Sequence, residues 1–166
     1  MSEISQTADL TIAIADFANV EQNVGKPNLI GGWGTIIPLT PMGVTIRFSV
    51  LSVIRVKAEY CPHEITLEVS LRDEDGNLVS LPGAVPNQKQ PLRVANVVTI
   101  DAPTNGLKTD ERNHIGGISN LVMDFSNGIP LAPGNYRWRL EIDGDEQNAA
   151  EYAFCVPGAR PPIVQG

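Results

Sequence analysis

The sequence predicts an all-β fold, an antiparallel β-sandwich of about eight or nine strands. Three observations carry this expectation. Apolar and polar residues alternate with a period of two along most of the 166 residues, as they do in half-buried strands. Acidic-glycine turns and most of the 13 prolines fall between the alternating runs, where strands must reverse. No long stretch repeats apolar residues at i, i+3, i+4 and i+7 without a breaker.

In chain order, weak alternation begins at Leu10, Ile12 and Ile14. Asn28 to Ile37 is strand-like but interrupted by Gly31, Gly32 and Gly34 around Trp33; glycine inside a strand marks a bulge, a bend or a close backbone approach. Val44, Ile46, Phe48, Val50, Ile54 and Val56 form one face of a long strand, broken only by Ser52. The opposite face mixes Thr45, Arg47, Ser49, Arg55 and Lys57 with Leu51 and Val53, a pattern that predicts partial cover by a loop or a partner. Ile65, Leu67, Val69 and Leu71 alternate cleanly with polar residues, and the run ends in the turn Asp73-Glu74-Asp75-Gly76-Asn77 before a short strand, Leu78 to Leu81. Leu92, Val94, Val98 and Ile100, then Leu121, Met123 and Phe125, alternate more weakly. Tyr136, Trp138, Leu140 and Ile142 form a strong apolar face, and Asp143-Gly144-Asp145-Glu146 turns the chain into Glu151 to Val156. Pro82–Pro91 and Ala102–Gly117 read as long irregular segments of the kind that often carry contacts.

The expected organisation is a polar tail over 1–9, one domain over 10–157 and a Pro-rich tail over 158–166. Apolar residues make up 42% and charged residues 19%, a globular composition. A chain of this length buries roughly 70% of its unfolded surface, so its core needs no disulfide or metal. The formal charge of −7, from 12 basic and 19 acidic residues, argues against nucleic acid, which calls for clustered Lys and Arg. Val44 to Val56 is too short and too polar to span a bilayer, and the first residues lack the basic and apolar regions of a secretory signal. The expectation is no membrane and a cytoplasmic location in the producing cell. Cys61 and Cys155 are too few for a disulfide scaffold. Free thiols are expected, with Cys155 on the side of its strand away from the core.

The segment Leu131-Ala132-Pro133-Gly134-Asn135-Tyr136-Arg137-Trp138 resembles the loop-to-strand corner of immunoglobulin-like domains, where a Pro-Gly turn precedes a Tyr that starts a core strand. The paired cysteines of antibody domains are missing, so the resemblance implies the wider immunoglobulin-like sandwich class. Longer pieces also recur in order: Ala15-Asp16-Phe17-Ala18-Asn19-Val20, Leu29-Ile30-Gly31-Gly32-Trp33, His63 to Val69 with Asp73-Glu74-Asp75-Gly76, Pro133 to Gly144, and Ala153-Phe154-Cys155-Val156. Over most of residues 10 to 157 they are similar to an uncharacterised all-β family of bacterial and phage proteins. That resemblance implies a β-sandwich and no activity, so no catalytic residue is carried over from it.

The residues give little support to chemistry. A nucleophile–base pair has only His63 and His114 to draw on, and no Gly-rich nucleophile turn surrounds Cys61 or His63. Zinc needs three or four ligands at set spacings; Cys61 and His63 make one pair, and His114 and Cys155 are scattered. Calcium is better posed, because Asp73, Glu74, Asp75, Asp143, Asp145 and Glu146 supply hard oxygens on two turns that a sandwich can cluster at one end. The spacing is not that of an EF-hand, and acidic turns are ordinarily solvated. No cofactor, metal or catalytic residue is therefore expected. Trp33 suits packing over a sheet edge, a sugar-stacking platform or an anchor for a partner. Arg47, Arg137 and Arg139 are expected on outward faces, paired across strands with carboxylates.

The leading expectation is a non-enzymatic structural or interaction protein, in the form of a phage virion accessory or capsid-decorating subunit, docking through its loops and tails. Other protein subunits, of a capsid or of a homo-oligomer, are the expected partners, with Trp33, His114, Arg160 and Ile163 as contact residues. The alternative is a small-ligand or carbohydrate-binding module using Trp33 and the loop at 102–117.

Overall fold

A computed structural model describes residues 3–21, 25–83, 87–103, 106 and 108–158, with the side chains of Thr109 and Arg112 excepted. Among the described residues two short α-helices, α1 (Glu3–Thr7) and α2 (Thr109–Ile115), and a 3-10 turn at Ala58–Tyr60 accompany eleven strands. These are β1 (Asp9–Ala15), β2 (Phe17–Val20), β3 (Pro27–Ile30), β4 (Phe48–Val56), β5 (His63–Asp73), β6 (Ser80–Pro82), β7 (Lys89–Pro91), β8 (Arg93–Ile100), β9 (Gly117–Phe125), β10 (Gly134–Ile142) and β11 (Ala150–Val156). A three-stranded sheet, β1-β4-β9, packs on a four-stranded sheet, β11-β10-β5-β8, and all of their pairings are antiparallel. The fold is thus an all-β, immunoglobulin-like sandwich. The strands beyond the eight or nine expected are β2 and β7, which pair with the strands expected near Asn28 and Leu78 in two ribbons, β2-β3 and β6-β7; their runs of four and three residues are too short to show a period.

The alternating faces meet in one core. Ile12, Ile14, Val50, Ile54 and Val56 from one sheet face Ile65, Leu67, Val69, Leu71, Trp138, Leu140 and Ile142 from the other, and all are buried. Aromatic rings join the layers: Phe125 stacks on Phe48 at 4.9 Å and on Trp138 at 5.5 Å between centroids. Tyr136, near the start of β10, donates its hydroxyl to the Ala132 carbonyl at 2.8 Å, the tyrosine corner of immunoglobulin-like folds. The long strand expected from Val44 begins only at Phe48, because Thr45 is held outside the ladder: its hydroxyl accepts the Ile129 N–H at 2.9 Å, and its backbone bridges to Leu39. Its mixed second face has a cover from the same chain. Leu51 and Val53 pack against Ala15, Ala18, Leu29 and Val122 beneath the β2-β3 ribbon.

Two expected loops contain helix. Residues 3–7 of the polar tail form α1, which buries Ile4 and Ser5 at the end of the core. The Ser5 hydroxyl donates to Asp145 at 2.6 Å and Tyr60 donates to Glu3 at 3.0 Å. A five-residue helix with one apolar anchor has no legible periodicity. Within 102–117, α2 starts where the Lys108 N–H meets the Glu111 carboxylate at 2.8 Å and stops at Gly116, with φ +69°. A Cβ on Gly116 would lie 2.3 Å from the Val56 carbonyl oxygen, so only glycine allows this approach.

Leu140→Ala removes a fully buried side chain and is expected to destabilise the protein by about 2–5 kcal/mol in urea unfolding. Asp145 gives a signed pH prediction. Its carboxyl is held below the usual range, first by the Ser5 hydroxyl and then by the Asn148 amide, against a smaller opposing effect of burial. The lowered folded value means that its contribution is present above about pH 4 and is lost as pH falls through that value. Asp145→Asn should therefore flatten the acid limb of stability between about pH 5 and pH 2 in denaturant melts.

Candidate functional site

The most unusual surface follows from how the chain passes from the edge of one sheet to the edge of the other. After the β2-β3 ribbon, Gly31 comes beside Asp16, whose N–H donates to the Gly31 carbonyl at 3.4 Å. Trp33 follows with φ +69°, a conformation that costs a non-glycine residue roughly 1–2 kcal/mol. Two bonds hold it there: the N–H groups of Trp33 and Gly34 both donate to the Ile14 carbonyl of β1, at 2.7 and 3.2 Å. The chain then crosses to β11. The Cys155 N–H donates to Thr35 and the Ile37 N–H to the Cys155 carbonyl, both at 2.9 Å, forming a short parallel pairing.

This crossing decides which side chains stay outside. Ile37 is buried and Ile36 is 63% exposed, the alternation of an extended chain. Trp33 is 60% exposed, with its ring tilted against Tyr152 of β11 at 6.1 Å. It thus both leans on a sheet edge and faces outward. A turn closed by the Gly43 N–H on the Thr40 carbonyl, 3.0 Å, carries Met42, 88% exposed. Between Trp33 and Met42, Ile36, Pro38, Leu39 and Pro41 face Pro157 across an apolar groove of about 710 Å³. Sequence reasoning found Trp33 and missed Ile36 and Met42; the Ile36-Ile37 doublet breaks the alternation and was the available signal.

The other expected contact residues lie elsewhere. His114, on α2, borders a polar depression with Asp9, Arg55, Lys57 and Glu59. Asp9 and Ile14 are five residues apart on β1, about 17 Å of strand, so Trp33 and the 102–117 segment do not converge on one site. Arg160 and Ile163 lie outside the described residues. The arginines pair across strands as expected: Arg47 with Asp124, Arg137 with Glu151 and Arg139 with Glu151, each at 3.3 Å; Arg139 also meets Glu141 of its own strand at 3.1 Å.

The register separates the two acidic turns. Tyr136 lies opposite Asp73, and Ile142 opposite Leu67, so the turns after β5 and β10 sit at opposite ends of that strand pair rather than clustered. Their carboxylates also serve the turns themselves: Asp73 accepts the Asn77 N–H at 2.8 Å and Asp143 accepts the Thr66 N–H at 2.9 Å. Among the described residues no group of three or more His, Cys, Asp or Glu side chains is placed to hold a metal ion. Cys61 and His63 line one shallow depression, but burial is the main effect on the Cys61 thiol and pushes its pKa up, opposite to what an activated thiolate needs. Cys61 and Cys155 are free thiols, and Cys155 lies between the buried Phe154 and Val156. Among the described residues no helix is long and apolar enough to cross a membrane.

The strand order, the tyrosine corner and the crossed edge define an immunoglobulin-like β-sandwich domain. Residues 10–154 match a family described as a family of unknown function, DUF6941, and the chain belongs to it. Among solved structures it is similar to a β-glucosidase from Listeria innocua in complex with isofagomine, at a TM-score of 0.42 and 10% identity. That match covers 91% of this chain but only 16% of the other. No curated protein matches the sequence.

The two tryptophans differ in environment, Trp138 being buried and Trp33 exposed. Trp33→Phe should therefore remove the iodide-quenchable, red-shifted emission and leave the blue component of Trp138, as read by fluorescence quenching.

Proposed function

We propose that this protein is a non-enzymatic docking module, binding another protein through the edge connection that carries Trp33, Ile36 and Met42. One observation carries the reading: three large apolar side chains stand exposed on one connection whose backbone is tied to both sheets. Ordered aromatic and apolar anchors of this kind lose little freedom on binding and are favoured at the centres of interfaces. The groove beside Ile36 gives a partner's apolar side chain a place to enter. The narrower form of the reading is a phage virion accessory or capsid-decorating subunit, made in the cytoplasm of the producing cell. Its support is the sequence resemblance alone.

A second reading has its own observation. The exposed Trp33 leans on the half-buried Tyr152, and an exposed indole held in this way can stack on a sugar ring. This carbohydrate-binding alternative uses the β11 edge rather than the 102–117 segment.

The double variant Trp33→Ala/Ile36→Ser should keep the wild-type Tm, since both side chains are mostly exposed. Quantitative affinity purification from the native host should show one stoichiometric protein partner with the wild type and at least a tenfold loss with the variant. Saturable quenching of Trp33 by a glycan without any such partner would favour the carbohydrate reading. Substrate turnover by the isolated chain would overturn the docking module as stated.

A further inference from the structure

The sandwich has four outer sheet edges, and the chain treats them unequally. The edges of β1 and β11 are bonded by residues 33–37. β9 is approached by the β2-β3 side, where the Asn120 amide donates to the Gly25 carbonyl at 2.8 Å. β8 is different. It is the last strand of its sheet, it runs for eight residues, and among the described residues no backbone group of Arg93–Ile100 is bonded on the side away from β5. Open edges are normally blunted by lysine, proline, a bulge or shortness. Arg93-Val94-Ala95-Asn96-Val97-Val98-Thr99-Ile100 has no lysine, proline or glycine, and its one charge is at an end.

The phase of the ladder shows which groups are open. Leu71 N–H donates to the Leu92 carbonyl at 3.0 Å, so Ser70 and Arg93 form a non-hydrogen-bonded pair. Alternation then turns the N–H and C=O groups of Arg93, Ala95, Val97 and Thr99 away from β5. Their side chains share the outer face of the sheet, where Val97 is 64% exposed.

We propose that β8 pairs antiparallel with β8 of a second copy of this chain about a two-fold axis at Val97, joining two four-stranded sheets into one. A two-fold antiparallel contact is self-complementary by symmetry, and this register fits the sequence. It sets Val97 against Val97, Ala95 against Thr99, and Arg93 of each copy opposite Asp101 of the other. Arg93 already binds Glu68, and its side chain remains half exposed, with donors left for a second carboxylate. A shift of two residues either way loses both ion pairs and leaves part of the open edge without partners. This surface is separate from the Trp33 connection, so either proposal stands without the other.

The test is light scattering on the full chain over a concentration series. The wild type should approach twice 17.9 kDa, and Trp33→Ala should do the same. Val97→Lys puts two ammonium groups on the axis and should return the mass to that of the monomer while keeping the native far-UV circular dichroism spectrum, with a Tm lowered toward that of the dilute wild type. Val97→Cys should give an intermolecular disulfide under mild oxidation, because residues directly opposite in a hydrogen-bonded pair lie within bridging distance. Neither the wild type, with its two native thiols, nor Asn96→Cys should do so. A wild type that stays monomeric to about 1 mM, a Val97→Lys variant that stays dimeric, or cross-linking through Asn96→Cys instead of Val97→Cys would overturn the proposal. Should Val97→Lys lose the native spectrum, the position of the cross-link decides.

Discussion

The burial of Trp138 between the two layers is the interaction on which the rest of the molecule depends. Its ring, stacked on Phe125, which in turn stacks on Phe48, joins the sheets across the core. β10 lies between β5 and β11, with Trp138 opposite Leu71 on one side and Tyr152 on the other. Because strand side chains alternate, a slip of one residue would turn Trp138, Leu140 and Ile142 to solvent. The core therefore fixes the register of three strands at once. That register places the turns, sends the two acidic clusters to opposite ends, and positions β11 to receive the crossing chain.

Once two sheets face each other, their edges become the next problem, since each edge strand carries backbone groups that the core cannot satisfy. The protein answers on one side with a single connection. Residues 31–43 bond first to β1 and then to β11, with Trp33 held in a left-handed conformation by the Ile14 carbonyl. Closing the edge in this way forces every second side chain outward. The exposed apolar surface is thus a direct consequence of how that side of the sandwich is sealed. On the opposite side no described residue bonds to the outer edge of β8, and the proposed self-pairing meets the same requirement from outside the chain.

The polar side chains are largely occupied with structure. Asp145 gathers α1 and the turn after β10, Asp73 and Asp143 close turns, and the outward arginines are paired across strands. Exposed pairs of this kind each add only about 0–1 kcal/mol. The thiol beside His63 is disfavoured as an anion by burial. These side chains hold the frame, and the proposed docking function draws instead on the exposed apolar side chains Trp33, Ile36 and Met42.

The sequence by itself determined the sandwich class, the apolar faces of β5 and β10, the Tyr136 corner and the outward arginines, because a period of two and a Pro-Gly-Asn-Tyr turn are written in neighbouring residues. It also exposed the need for a cover over Leu51 and Val53 and the special position of Trp33. It did not reveal α1, α2 or the strands β2 and β7, which are too short for periodicity to accumulate. Only the tertiary structure decided that Ile36 faces out while Ile37 faces in, that Trp33 and His114 stand apart, and that β8 is the last strand of its sheet. Those outcomes depend on which strands become neighbours, and neighbours distant in sequence are chosen by the packing of the whole core rather than by any local pattern.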